Sequence, residues 1–324
     1  MRLPGSHLLK AAANRALLLF AVLAIGSLPA SAQSTNQPHK HSKSDRDINA
    51  IGHRKVARDQ NWYSLDKEKQ LGEQFSAAFE RAVPILQDAA TSAYIDALTQ
   101  RIAQNSDTQM PVSVRVVNSD HISATTLAGG HVYITRGLLA QMTSEGELAS
   151  VLAREVAHTA IRSATATRTR ENLAQLVRTP VGTGQDGTGS NPAAEGIGLA
   201  IPLTVLSFRR ALESDADYFG IQYLYKSGYD AECFLTAIQK VIPSNSSSPL
   251  AGSFSPFPPL PDRLAALKKE IARILPKRDG SMVSSPEFSA FQRRLRSLTP
   301  PDAEPTVPKL IRHDRSSTPD PASI

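Results

Sequence analysis

The sequence predicts an α+β domain, mainly helical, with a small antiparallel or mixed sheet. Three observations predict it. Apolar residues recur at helical spacing in several stretches separated by turn signals. Two short segments alternate apolar and polar residues, the period of half-buried strands. With 324 residues and 41% of them hydrophobic, the chain has ample material for one well-packed domain plus polar tails.

Taken in order, residues 1–32 read as a signal peptide. Arg2, Lys10 and Arg15 supply the positive region, Ala16 to Leu28 is a short apolar run, and Ala30-Ser31-Ala32 offers a small-x-small cleavage pattern. The run is short for a bilayer span, so an uncleaved anchor is the weaker alternative and no stable membrane span is expected after cleavage. The mature chain is then exported, periplasmic or secreted. Its single thiol, Cys233, allows no internal disulfide. Residues 33–60 are polar, without a periodic apolar face, and read as a flexible leader. The domain spans 61–298, and the Pro-rich, polar stretch 299–324 reads as a disordered tail.

Within the domain a helix begins near Leu65, with Leu71, Phe75, Phe79 and Val83 as its apolar stripe. Tyr94, Leu98 and Ile102 mark a second helix. Val112, Val114 and Val116 alternate with Ser113 and Arg115 as a strand. Gly129-Gly130 is a turn signal, and His131 to Thr135 forms a second strand behind it. Ser144-Glu145-Gly146-Glu147 has capping-box form and announces a helix that buries Leu148, Val151 and Leu152. A Gly/Thr/Pro-rich loop follows from about Thr179 to Gly196. A helix from about Leu203 stops at Gly228, and two more run over Pro261 to Leu275 and Pro286 to Leu298.

The net charge is +6, but acidic residues are interspersed with the basic ones. No compact Lys/Arg block carries interleaved aromatics, which argues against nucleic acid as a partner.

The segment that carries chemistry is Arg154-Glu155-Val156-Ala157-His158. A helix that holds zinc presents His at i and i+4, stacking two imidazoles on one face, with a Glu at i+1 to take a proton from metal-bound water. Glu155 and His158 stand in those places; Arg154 stands where the first His belongs. Downstream, Glu213 and Asp217 lie one helical turn apart and face the same way. A carboxylate from a second helix completes a His-His-Glu site, and an Asp one turn on suits a hydrogen bond to a ligand. Alone, each fragment reads better as a solvated helix face than as a metal site.

Together with their surroundings these segments resemble the HtpX and CaaX-prenyl-endopeptidase family of gluzincin zinc metallopeptidases, most closely its soluble periplasmic BepA-like branch. The resemblance runs from about Ser64 to Leu298 and includes Ser64 to Gly72, Ala128 to Leu139, Glu147 to His158 and Glu213 to Asp217. It implies a zincin-like metallopeptidase domain, with His158 and Glu213 as ligands of one zinc ion. It also implies Glu155 as general base, Asp217 behind the ligands, and metal-assisted hydrolysis of peptide bonds in envelope proteins. By the same resemblance Gly130, His131, Val132 and Tyr133 belong to an edge strand that takes an extended or unfolded polypeptide.

Two positions depart from the family pattern. Arg154 replaces the first ligand, and Phe257 falls where a His near the metal would align. A guanidinium has five donors and no lone pair, and stays protonated. Three readings follow. The first is a live peptidase that borrows a ligand, His131 being the only nearby candidate. The second is a pseudopeptidase in which Arg154 pairs with Glu213 or Glu155 and the cleft binds polypeptide without cutting it. The third is an envelope interaction protein using the domain as scaffold.

Overall fold

Five of the helices begin on a hydroxyl that caps them, the first on Ser42, which accepts from Asp45 N–H at 3.1 Å. Ser64, Thr135, Ser144 and Ser285 each accept a hydrogen bond from the backbone N–H three residues on, at 3.1, 3.3, 3.2 and 3.1 Å. The computed structural model describes residues 41–57, 61–178, 192–241 and 260–298. The signal peptide 1–32, the tail 299–324, Phe257 and most of the Gly/Thr/Pro-rich loop lie outside the described residues.

In chain order the elements are α1 (Lys43–Arg46), α2 (Leu65–Ala82), α3 (Ala89–Ala103), β1 (Ser113–Val117), β2 (Ala124–Leu127), β3 (His131–Thr135), α4 (Arg136–Gln141), α5 (Glu145–Ala160), α6 (Ser163–Arg178), α7 (Pro192–Lys226), α8 (Glu232–Val241), α9 (Leu260–Ile274) and α10 (Pro286–Ser297). The α+β expectation holds: a mostly helical domain carries one three-stranded mixed sheet of order β1-β3-β2. β3 is parallel to β1 and antiparallel to β2.

α5 is the centre of the domain. Every one of its residues except Arg154 is buried. α7 packs along it, with α3, α8 and the sheet on its other sides. α7 can approach closely because position 220 is glycine; a Cβ there would lie 3.1 Å from the Arg154 Cα. The helix ends at Gly228, whose φ of +94° is the left-handed conformation of a C′ residue.

Strand parity decides what each sheet face meets. Thr126 is opposite Val132, and Thr125 opposite Tyr133. Thr126 and Val132 therefore share the α5 face, while His131 and Tyr133 point to the other side. There Tyr133 packs its ring 4.5 Å from that of Phe79 on α2 and donates to Glu80 Oε1 at 2.9 Å.

α2 departs from its expected apolar stripe. Its buried residues are Glu68, Gly72 and Ser76, and Phe75 is 54% exposed. The cause is a close backbone approach: Gly72 lies against the Ala128–Gly130 turn, where a Cβ would overlap the Ala128 carbonyl. Gly72→Ala should gain about 1 kcal/mol of helix propensity but lose about 1–3 kcal/mol to overpacking. A lower urea midpoint is the expected result; an unchanged or higher one would show that the contact yields.

The polar leader expected over 33–60 is not loose where it is described. Residues 41–57 lie against α7 and the turn after α3. The Arg54 guanidinium is fully buried and reaches Asp107 Oδ2 at 2.6 Å and Gln222 Oε1 at 2.7 Å. Tyr223 donates to the same Asp107 oxygen at 2.8 Å, and His41 stacks on Tyr218 with ring centroids 3.4 Å apart. A short polar segment gains order through one buried ion pair, which no periodicity signals. α6 and α8 were likewise not expected: α6 opens in a Thr- and Arg-rich stretch, and α8 is short.

Candidate functional site

α5 and α7 bring the candidate residues together. Arg154, Glu155 and His158 share one turn of α5; Glu213 and Asp217 share one turn of the facing α7. The Arg154 guanidinium sits among the three carboxylates. Nε donates to Asp217 Oδ1 at 3.1 Å, Nη1 to Glu155 Oε1 at 3.2 Å, and Nη2 to Glu213 Oε2. His158 Nε2 is 3.6 Å from that same Glu213 oxygen. Glu155, His158 and Asp217 are buried, and Arg154 is nearly so, its side chain 15% exposed.

Three further residues complete the cluster. Arg263 on α9 clamps Asp217, with Nη2 2.6 Å from Oδ1 and Nε on Oδ2. Thr126 on β2 donates to Glu155 Oε2 at 2.8 Å, tying the sheet to the site. Ser163 lies 3.1 Å from His158 Nδ1. Ser163 follows Arg162, which lies two residues past the end of α5 and turns the chain with φ +55°. The Arg162 side chain is held by Glu68 Oε2 at 2.7 Å and the Tyr63 carbonyl at 2.6 Å. No local pattern marks Arg263, Thr126 or Ser163, since each acts on a residue distant in the chain or across a turn.

The electrostatics follow from this packing. Burial opposes the charge on Arg154, but Glu213, Asp217 and Glu155 outweigh it and hold the guanidinium more firmly protonated than usual. Burial also pushes Glu213 upward; Arg154, with help from His158, overcomes this and brings its carboxyl down to about 2. The carboxylates thus have a cation of their own. Among the described residues no three His, Cys, Asp or Glu side chains are arranged to hold a metal ion. The residues present do not fit zinc: the position of one imidazole holds a guanidinium that cannot ligate, and it occupies the carboxylate a metal would need.

The expected substrate strand requires correction. Gly130, His131, Val132 and Tyr133 belong to or lead into β3, the central strand, which has neighbours on both sides. His131 faces away from α5, beside Ser113 at 3.1 Å, so strand parity keeps it from serving as a borrowed ligand. Gly129 and Gly130 serve the turn, with φ of +76° and +83°. The edge strand beside the site is β2. Thr135 N–H donates to the Ser123 carbonyl at 3.0 Å. By antiparallel alternation, Ala124 and Thr126 then direct their backbone groups outward. Among the described residues no strand pairs with that edge.

A site drawn from two facing helices beside a small mixed sheet is the arrangement of a metallopeptidase domain. The family model for peptidase family M48 matches residues 89–271, and the chain belongs to that family. Peptidases of this family are zinc-dependent, which makes Arg154 a departure within it. The chain is 28% identical over 256 residues to a beta-barrel assembly-enhancing protease of Yersinia pestis, covering 76% of this chain and 52% of that protein. To the protein of the same description in Escherichia coli K12 it is 28% identical over 227 residues, covering 66% and 45%. The chain thus spans about half the length of the curated relatives it matches.

Proposed function

We propose that this chain is a pseudopeptidase, an M48 member that binds extended polypeptide along the outer edge of β2 without cleaving it. The observation that carries the reading is the Arg154 guanidinium bonded to Glu155, Glu213 and Asp217. At about 4 Å and an effective dielectric of about 20, adding a dication beside that charge costs roughly 8 kcal/mol. In this reading His158 and Glu213 are the remnant of a ligand pair and Glu155 the remnant of a base. Asp217 now serves to fix Arg154 and Arg263.

The outward backbone groups of Ala124 and Thr126 suit strand addition, which recognises an extended chain through its main chain. Location in the cell envelope is supported by the signal-like N-terminus, and no helix among the described residues is long and apolar enough to cross a membrane. The relatives' name, for enhancing β-barrel assembly, favours an envelope protein in an extended state as the partner.

The test is zinc content and casein hydrolysis of the purified mature protein beside Arg154→His. The wild type should carry well below one zinc per chain and leave casein intact, while the variant gains the metal. One tightly held zinc per wild-type chain, with casein cleaved, would overturn the proposal.

A further inference from the structure

α7 outruns the helix it packs on. Its 35 residues run antiparallel to α5, since His158 near the end of α5 meets Glu213 while Arg154, a turn earlier, lies against Gly220. α5 ends at Ala160, so residues 192–206 of α7 pass beyond it. At 1.5 Å per residue that overhang measures about 22 Å. α6 runs back alongside: Arg209 Nη2 meets Glu171 Oε1 at 2.8 Å, and the Arg170 guanidinium lies 5.6 Å from the Phe208 ring centroid. The overhang has no charged residue between Glu195 and Arg209. Ile197, Leu199, Ile201, Leu203 and Val205 stand at alternate positions, which fall on nearly opposite sides of a helix with 3.6 residues per turn. Such a helix is apolar all round, and one polar neighbour such as α6 covers one side of it. At the base of the overhang Trp62 is 56% exposed, and its N–H donates to Thr169 Oγ1 of α6 at 3.1 Å. The side chains of Arg168 and Arg209 there are 62% and 47% exposed.

We infer that the overhang of α6 and α7 is a docking surface for an anionic lipid bilayer, lying in its interface with Trp62 at the level of the headgroups. The inference is independent of the reading of β2. Length supports lying in the surface rather than spanning: about 22 Å falls short of a hydrocarbon core of about 30 Å. Charge fixes the kind of surface. Residues 163–178 and 196–212 hold Arg168, Arg170, Arg178, Arg209 and Arg210 against one acid, Glu171. A basic, apolar helical element is the composition of an interfacial anchor, and tryptophan settles at the boundary between headgroups and chains. The same arginines argue against a second copy as the occupant, since pairing two overhangs would bring like charges together.

The chain has a single tryptophan, so Trp62 emission reports on this surface alone. The mature full chain is titrated with vesicles of phosphatidylcholine containing one-quarter phosphatidylglycerol, and with vesicles of phosphatidylcholine only. The mixed vesicles should shift Trp62 emission to shorter wavelength and carry the protein down on sedimentation. Phosphatidylcholine only should bind at least about tenfold less. Arg168→Glu, at an exposed position with little risk to folding, should weaken partitioning about twentyfold. Each basic residue counts roughly fivefold at an anionic surface, and the reversal adds repulsion. Leu199→Ser with Ile201→Ser takes an apolar residue from each side of the helix and should weaken partitioning about tenfold. Unmoved emission with no sedimentation overturns the proposal, as does equal binding to both vesicles or binding unchanged by Arg168→Glu. Concentration-dependent dimerisation in ultracentrifugation, without lipid binding, overturns it in favour of a second copy.

Discussion

Arg154→Met is expected to destabilise this protein by about 3–5 kcal/mol, the cost of removing one partner from a buried ionic cluster. For a domain of this size that lowers Tm by roughly 6–20 °C. Arg154 bonds at once to Glu155, Glu213 and Asp217, and those groups come from two helices that would otherwise present like charges to each other. Arg263 would still neutralise Asp217, while Glu155 and Glu213 would lose the guanidinium bonded to them. Methionine keeps most of the length and apolar stem, so the loss reads charge and hydrogen bonding rather than volume. A melt at neutral pH that matches wild type would mean that these contacts do not form in solution.

The same cluster sets an acid limb. Glu213 is held at about 2, below its ordinary 4.5, so its pairing contributes stability that is complete above pH 4.5. That contribution falls as pH drops from 4.5 towards 2, because the unfolded chain takes up a proton that the folded carboxylate refuses. Without Arg154 the largest cause of the depression is gone, and His158 and Arg263 alone remain to oppose burial. Wild type should therefore lose stability steeply between pH 5 and pH 2.5, on the order of 3 kcal/mol at 1.36 kcal/mol per pH unit, and Arg154→Met should show a flatter limb. Parallel limbs would assign the acid sensitivity to other carboxylates.

Asp107→Ala should be nearly as severe. The Arg54 side chain is 1% exposed and that of Asp107 is 0% exposed. Removing the carboxylate leaves a buried guanidinium with only neutral partners, at a cost of about 3–5 kcal/mol. The energetic loss has a local signature, since this pair fastens residues 41–57 to α7. Trypsin should cut after Arg54 or Lys55 in the variant under conditions where the wild type resists. A variant that melts lower but keeps those bonds protected would show that the segment is held by other contacts.

Much of the scaffold was legible locally. Ser144 announced its helix, Val112 to Val116 and His131 to Thr135 their strands, and Gly228 the end of α7, because caps, alternation and positive-φ turns are short-range chemistry. The apolar stripe of α2 misled because a backbone approach at Gly72 overrode side-chain hydrophobicity. α8 did carry a helical pattern in Phe234, Ala237, Ile238 and Val241, and that signal was available to find the helix.

The sequence by itself determined the family, the positions that meet at the site, and the anomaly at Arg154. Residue type at i, i+1 and i+4 on a helix is written in consecutive letters. Only the tertiary structure decided that the guanidinium sits among three carboxylates, one of them 63 residues away, and that Arg263 reaches Asp217 from 46 residues further on. It also decided that β3 is the central strand and β2 the open edge. Both outcomes depend on long-range pairing, and a strand's own alternation is the same at the middle of a sheet as at its rim.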